Sequence, residues 1–238
     1  MKRKKRSLKH RIGMFLLGLV GVFFVFTIGE VVFYKFFPVR HTPLMLIRKT
    51  EARHAGKELT LYKQWVDIED ISPELVRAVM ASEDNLFLQH HGFSERGIRN
   101  AIQEKMNKGA VRHGGSTISQ QTAKNVFCTP NRTYIRKAFE AYFTVLIEWI
   151  WGKERIMEVY LNVIEMGNGV FGAEAASQRY FRHSAKRLNR QEAALIAVCL
   201  PNPRKMSVAS PSSYILKRQR QIVTLMPKLG PIDLKQKE

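Results

Sequence analysis

Residues 72–92 read SPELVRAVMASEDNLFLQHHG. Ser72 is a helix N-cap, Pro73 suits the first turn, and Glu74 meets the positive end of the helix dipole. Leu75, Val76, Val79 and Met80 recur at helical spacing and form a buried face. Glu83 falls one turn beyond Val79, so its carboxylate projects from the apolar stripe where the helix ends. Partial burial, the negative end of the dipole and neighbouring Asp84 all disfavour its charged form and raise its pKa. That is the condition for a general base or acid near neutral pH. A solvated helix-end acid is the plainer alternative.

Outward from this segment the pattern stays helical. Ser94 caps a second helix with Ile98, Ala101, Ile102 and Met106 inward and Gly109 as its stop. Thr117-x-x-Gln120 reads as a capping box. A long helix is predicted from about Tyr134 to Trp149, interrupted near Gly152, and another over Lys153–Leu161. Gly167, Gly169 and Gly172 mark a loop, and helices follow over Ala173–Phe181, Leu188–Leu200 and Tyr214–Met226. No alternating strand pattern occurs, so the fold class is mainly α.

Upstream, residues 1–11 form a basic tail carrying Lys2, Arg3, Lys4, Lys5, Arg6, Lys9 and Arg11. Ile12 to Gly29 contains no charge, and as a helix it spans about 27 Å, close to the bilayer hydrocarbon thickness. The run extends to Phe37 if Glu30 and Lys35 snorkel. A cleaved signal peptide would have a shorter apolar region of ~7–15 residues and a small-x-small cleavage site. Residues 12–37 are therefore read as an uncleaved transmembrane anchor, with the basic tail cytoplasmic and the remainder exported. Residues 38–70 show no clean periodicity and are read as a connector, 71–230 as the functional domain and 231–238 as a tail. The 238 residues carry 39 Lys+Arg against 20 Asp+Glu, a formal charge of +19. An exported domain does not meet genomic DNA, so this charge points to anionic lipid or a phosphate-bearing substrate and not to nucleic acid. Cys128 and Cys199 lie in apolar stretches, where buried free thiols are the plainer reading and a disulfide is the alternative open to an exported domain. No Cys/His spacing indicates a structural metal.

A second acid, Glu140, follows Arg136 by four residues and Lys137 by three, all on one helix face. Those cations favour its ionised form, so the two acids sit in environments that push their pKa values apart, as acid/base pairs do. An ordinary surface ion pair is the bland reading. Between the acids, Gly114-Gly115-Ser116-Thr117 lets backbone amides approach a ligand at a helix N-terminus. Lys124, Arg132 and Arg136 add positive charge. The spacing is not that of a P-loop.

Together these segments read Glu83-Asp84-x-x-Phe87-x-x-His90-x-Gly92, then Gly114-Gly115-Ser116-Thr117-Ile118-x-Gln120-Gln121-x-x-Lys124-Asn125, then Arg136-Lys137-x-x-Glu140, then Lys153-Glu154-x-Ile156-x-Glu158-x-Tyr160-Leu161-Asn162. In this order and spacing the chain resembles the peptidoglycan glycosyltransferase family, the lysozyme-like transferase domain also found in class A penicillin-binding proteins. The resemblance covers roughly Ser72 to Met226. A further family motif, usually a paired Arg before an apolar run, is looser here as Lys217-Arg218-Gln219-Arg220.

The resemblance implies polymerisation of lipid II into β-1,4-linked glycan strands by an inverting displacement that releases undecaprenyl diphosphate. It assigns Glu83 as base on the acceptor 4-hydroxyl and Glu140 to assisting departure of the donor diphosphate. Asp84, Ser116, Gln120, Gln121, Lys124, Arg132, Arg136 and Lys137 are expected to contact substrate. His90 and the fourth-motif residues are expected to be structural. The resemblance fixes no cofactor, and a divalent cation, Mg or Mn, is a candidate at the diphosphate. Expected partners are the growing glycan strand, the membrane, and other cell-wall synthesis or division proteins. Phe139, Tyr142, Phe143, Trp149 and Trp151 are either core or an apolar lining for the lipid. No Ser-x-x-Lys, Ser-Asp-Asn or Lys-Thr-Gly follows the domain, so no transpeptidase activity is expected. A lysozyme-type hydrolase also needs two carboxylates but not a diphosphate cradle or an anchor. A non-catalytic membrane scaffold is the other rival.

Overall fold

Capping residues set the helix boundaries. In the computed structural model, which describes residues 8–95, 97, 99, 106, 115–131 and 133–235, Ser72, Thr117 and Thr133 each accept a backbone N–H from the first turn of the helix they open. Ser72 begins α3 (Pro73–Glu83), burying Leu75, Val76, Ala78, Val79 and Met80 as the periodicity predicts. Ser94 accepts from the Gly97 N–H; Met106, expected inward, is instead 79% exposed, and Ile98, Ala101, Ile102 and Gly109 lie outside the described residues. Thr117 and Gln120 form a complete capping box at the start of α4 (Ile118–Phe127).

The chain divides into two compact units, meeting at Phe37 and Pro38. In the first, α1 (Leu8–Phe36) is long and apolar enough to cross a membrane. In the second, the segment expected to be a connector carries α2 (Pro43–His54), opened by Thr42, and the short strand β1 (Tyr62–Lys63). α5 (Tyr134–Val163) is continuous except at Gly152, whose φ of 76° and ψ of 169° kink it where the sequence places a break. α6 (Ala173–Phe181), α7 (Arg190–Cys199) and α8 (Ser213–Leu225) lie within a residue or two of their predicted spans.

The helical prediction omits a small sheet. β2 (Glu165–Gly167) and β3 (Val170–Phe171) form a hairpin in the glycine-rich loop, and β1 pairs parallel to β3 through Tyr62↔Val170 and Lys63↔Phe171. Nearby, the Asn162 amide holds Val66 by both its N–H and its C=O, tying the upstream segment to α5. The core runs through Leu75, Phe87, Ile118, Ile147, Tyr160 and Phe171, all fully buried. α4 packs along α5, and α3 packs on α7 and α8. Cys128 and Cys199 are buried and unbonded.

Candidate active site

α3 ends at Glu83, and the backbone leaves the helix at Asp84. The Glu83 side chain lies between α3 and α4. Gln121 Nε2 donates to Glu83 Oε2 at 3.0 Å, and the Ser82 hydroxyl approaches Oε1 at 3.4 Å. Burial raises the Glu83 pKa. These two hydrogen bonds and the Lys124 charge pull it back, and Asp84 adds a smaller push upward. The outcome is a carboxyl whose proton affinity is raised while its charged form keeps specific donors, as a base requires. Glu83 opens onto a cavity of about 230 Å³ shared with Asp84, Ser94, Ser116 and Thr117.

Asp84 is buried and spends its oxygens inside the protein. It accepts from His90 Nε2 at 2.9 Å and from the backbone N–H of Ile118 at 3.0 Å. The latter places its charge on the positive end of α4. His90 Nδ1 accepts from the Gly92 N–H at 3.1 Å, which puts the ring proton on Nε2, facing Asp84. Thr117 then donates to the Gly92 carbonyl. Beneath this loop, Lys153 donates to the His90 carbonyl at 2.6 Å and to Glu148 at 2.7 Å, and lies 4.7 Å from the centre of the Phe87 ring. Ser119 of α4 donates to the same Glu148 oxygen. The loop carrying Glu83 is thus pinned to α4 and α5 through polar groups almost wholly removed from water.

The basic side of the site centres on Lys124. Burial lowers its pKa, Glu140 raises it, Arg136 and Lys137 lower it again, and Glu83 raises it slightly. Lys124 therefore feels both acids. Glu140 is buried at 2% exposure, and both its oxygens are engaged, one by Arg136 and the other by Lys137 at 2.5 Å. This is no surface ion pair. The Arg136 Nε is buried with no hydrogen-bond partner among the described residues.

A family model described as Transglycosylase matches residues 52–227. The chain belongs to the transglycosylase family. It is 49% identical over 219 residues to a biosynthetic peptidoglycan transglycosylase of Bdellovibrio bacteriovorus, covering 92% of this chain and 87% of the relative. A protein of the same description from Bacteroides thetaiotaomicron is 50% identical over 91% of this chain and 88% of its own length. One from Escherichia coli is 42% identical over 97% and 96%. The family domain is lysozyme-like, in keeping with the helical fold.

Within this transglycosylase site the structure brings Glu83, Ser116, Gln121 and Lys124 together with the Arg136–Lys137–Glu140 cluster. Two residues expected to bind substrate have other work. Asp84 is committed to His90 and α4, and Gln120 is buried with its side-chain oxygen on the Thr117 N–H. Both hold the turn that carries Ser116. Arg132, His113 and Gly114 lie outside the described residues. Arg218 bonds Gln221 on an exposed face of α8. Phe143 and Trp151 are core, whereas Trp149 is 79% exposed and Phe139 40%.

The residues around Glu140 do not fit a resident divalent cation. Its two oxygens are held by side-chain cations, Lys124 adds a third positive charge, and no group of acids, His or Cys among the described residues has metal-binding spacing.

Sequence reasoning passed over Glu148 and took Tyr160, within the fourth motif, as structural. Glu148 had a signal, since an acid one turn beyond Thr144 on the apolar face of α5 demands a buried partner. The contact of Tyr160 with Gln121 had no signal, because a buried aromatic in a helix reads as packing.

Proposed function

We propose that the protein polymerises lipid II, with Glu83 as the base and the Lys124–Arg136–Lys137 cluster as the cradle for the departing diphosphate. The observation that carries this is one buried carboxyl of raised pKa, held by Gln121 and facing a positively charged pocket. The acceptor sugar presents its 4-hydroxyl to Glu83. As Glu83 takes that proton, the oxygen attacks C1 of the donor sugar, the bond from C1 to the diphosphate breaks, and the α-linked donor becomes a β-1,4 linkage. Negative charge builds on the leaving diphosphate, where Lys124 and Arg136 stabilise it without reorganising. Glu140 fixes Arg136 and Lys137 in place, so it supports the leaving group through them. The peptidoglycan transglycosylases this chain resembles support the same substrate class.

The tether fits a substrate whose polyprenyl chain stays in the bilayer. With α1 spanning the inner membrane and the basic tail cytoplasmic, the domain faces the extracytoplasmic side. Protein partners in wall synthesis or division remain part of this proposal.

The test supplies purified lipid II and finished glycan separately to the full chain in detergent. Polymer should grow from lipid II, finished glycan should stay uncleaved, and Glu83→Gln should lower polymerisation by about 10²–10⁴-fold. Full turnover in that variant, or cleavage of the glycan, overturns the assignment.

A further inference from the structure

We propose that Tyr160 is a positioning residue for the base: its hydroxyl donates to the Gln121 carbonyl oxygen and so anchors and strengthens the amide N–H that Gln121 aims at Glu83. The inference rests on the reading of Glu83 as base.

Tyr160 is fully buried on α5. Its hydroxyl reaches Gln121 Oε1 at 3.3 Å, while Gln121 Nε2 reaches Glu83 Oε2 at 3.0 Å. The two ends of a glutamine amide have nearly the same shape, so packing alone does not choose between them. If the amide turned over, its oxygen would face the carboxylate and repel it. The carboxylate only accepts, so it selects the NH₂ end, and the Tyr160 hydroxyl donates to the Oε1 left on the other side. That donation also polarises the amide, so that the chain O–H to O=C–N–H to carboxylate strengthens each link.

The groups acting on Glu83 come from every element packed around it: Ser82 and Asp84 beside it, Gln121 and Lys124 from α4, and Tyr160 from α5. Burial and the negative charges of Glu83 and Asp84 hold the Tyr160 phenol well above its ordinary pKa. It therefore remains a neutral donor across the range in which Glu83 titrates.

The experiment measures the pH profile of lipid II polymerisation by the full-length protein in detergent. The wild-type acid limb reports ionisation of Glu83. Tyr160→Phe should move that limb upward by about half a pH unit, a roughly threefold loss of rate below it, with little change on the plateau. Gln121→Met should move it the same way, and adding Tyr160→Phe to Gln121→Met should move it no further. Replacing Tyr160 with 3-fluorotyrosine keeps the shape and strengthens the donor, so the limb should shift downward even if Tyr160→Phe folds poorly. An unmoved limb in both Tyr160 variants, or an additive shift in the double variant, overturns the relay. If Glu83→Gln retains turnover, the base assignment itself falls. If Glu83→Gln is inactive and the Tyr160 variants match wild type, only the relay falls.

Discussion

Replacing Lys153 with Met removes a charge while keeping most of the side chain's packing stem. Lys153 is 14% exposed and its partner Glu148 is 7% exposed, so the pair is buried. Breaking such a pair by removing one partner costs about 3–5 kcal/mol, because the remaining charge is stranded. Ser119 still donates to Glu148, which holds the cost toward the lower end. The lost hydrogen bond to the His90 carbonyl and the lost contact with the Phe87 ring add about 1 kcal/mol each at most. A net loss of about 4 kcal/mol is expected. Adding Glu148→Gln removes the stranded charge and keeps an acceptor for Ser119, so the double variant should recover to within about 2 kcal/mol of wild type. Urea unfolding followed by tryptophan fluorescence measures both, since Trp151 is buried in the same domain. Polymerisation should fall in Lys153→Met and partly return in the double variant, because the loop carrying Glu83 hangs from this pair. A loss below about 1 kcal/mol, or no recovery on adding Glu148→Gln, would refute the reasoning.

Glu83→Gln should stabilise the fold as it inactivates the enzyme. The folded-state pKa of Glu83 is raised, so the folded protein holds its proton more tightly than the unfolded chain, and this group's contribution to stability falls as pH rises through that window. Thermal unfolding should therefore show a gain for Glu83→Gln near neutral pH that vanishes once the pH drops below the ordinary carboxylate value; a gain independent of pH would contradict it. Gly92→Ala should cost about 2–4 kcal/mol in urea unfolding. The backbone φ there is +87°, and an added Cβ would lie 2.7 Å from Thr144 Cγ2 and 3.1 Å from Glu148 Cγ; a variant as stable as wild type would show that the loop can back away from α5.

Much of the helical framework was legible in the chain because its signals are local. Ser72-Pro73-Glu74 and Thr117-x-x-Gln120 each complete a cap within a few residues, and Gly152 breaks α5 by its own backbone conformation. The sheet was not legible. Strands of two or three residues are too short to show alternation, and β1 pairs with β3 across about a hundred residues. The internal partners of two expected substrate contacts were hidden for a related reason. Asp84 and Gln120 carry the chemistry of ligand-binding side chains, and nothing local shows that His90, Ile118 and Thr117 already occupy them.

The sequence by itself determined where helices start and stop, that one N-terminal segment suits a bilayer, and which acids and cations the chain carries in family order. All of these follow from neighbours a few positions apart. Only the tertiary structure decided that Glu83 meets Gln121, that Gln121 meets Tyr160, and that Glu140 is sealed between Arg136 and Lys137 with Lys124 close by. Desolvation and the aim of a donor depend on what folds over a group from far along the chain, and that information exists only once α3, α4 and α5 have packed together.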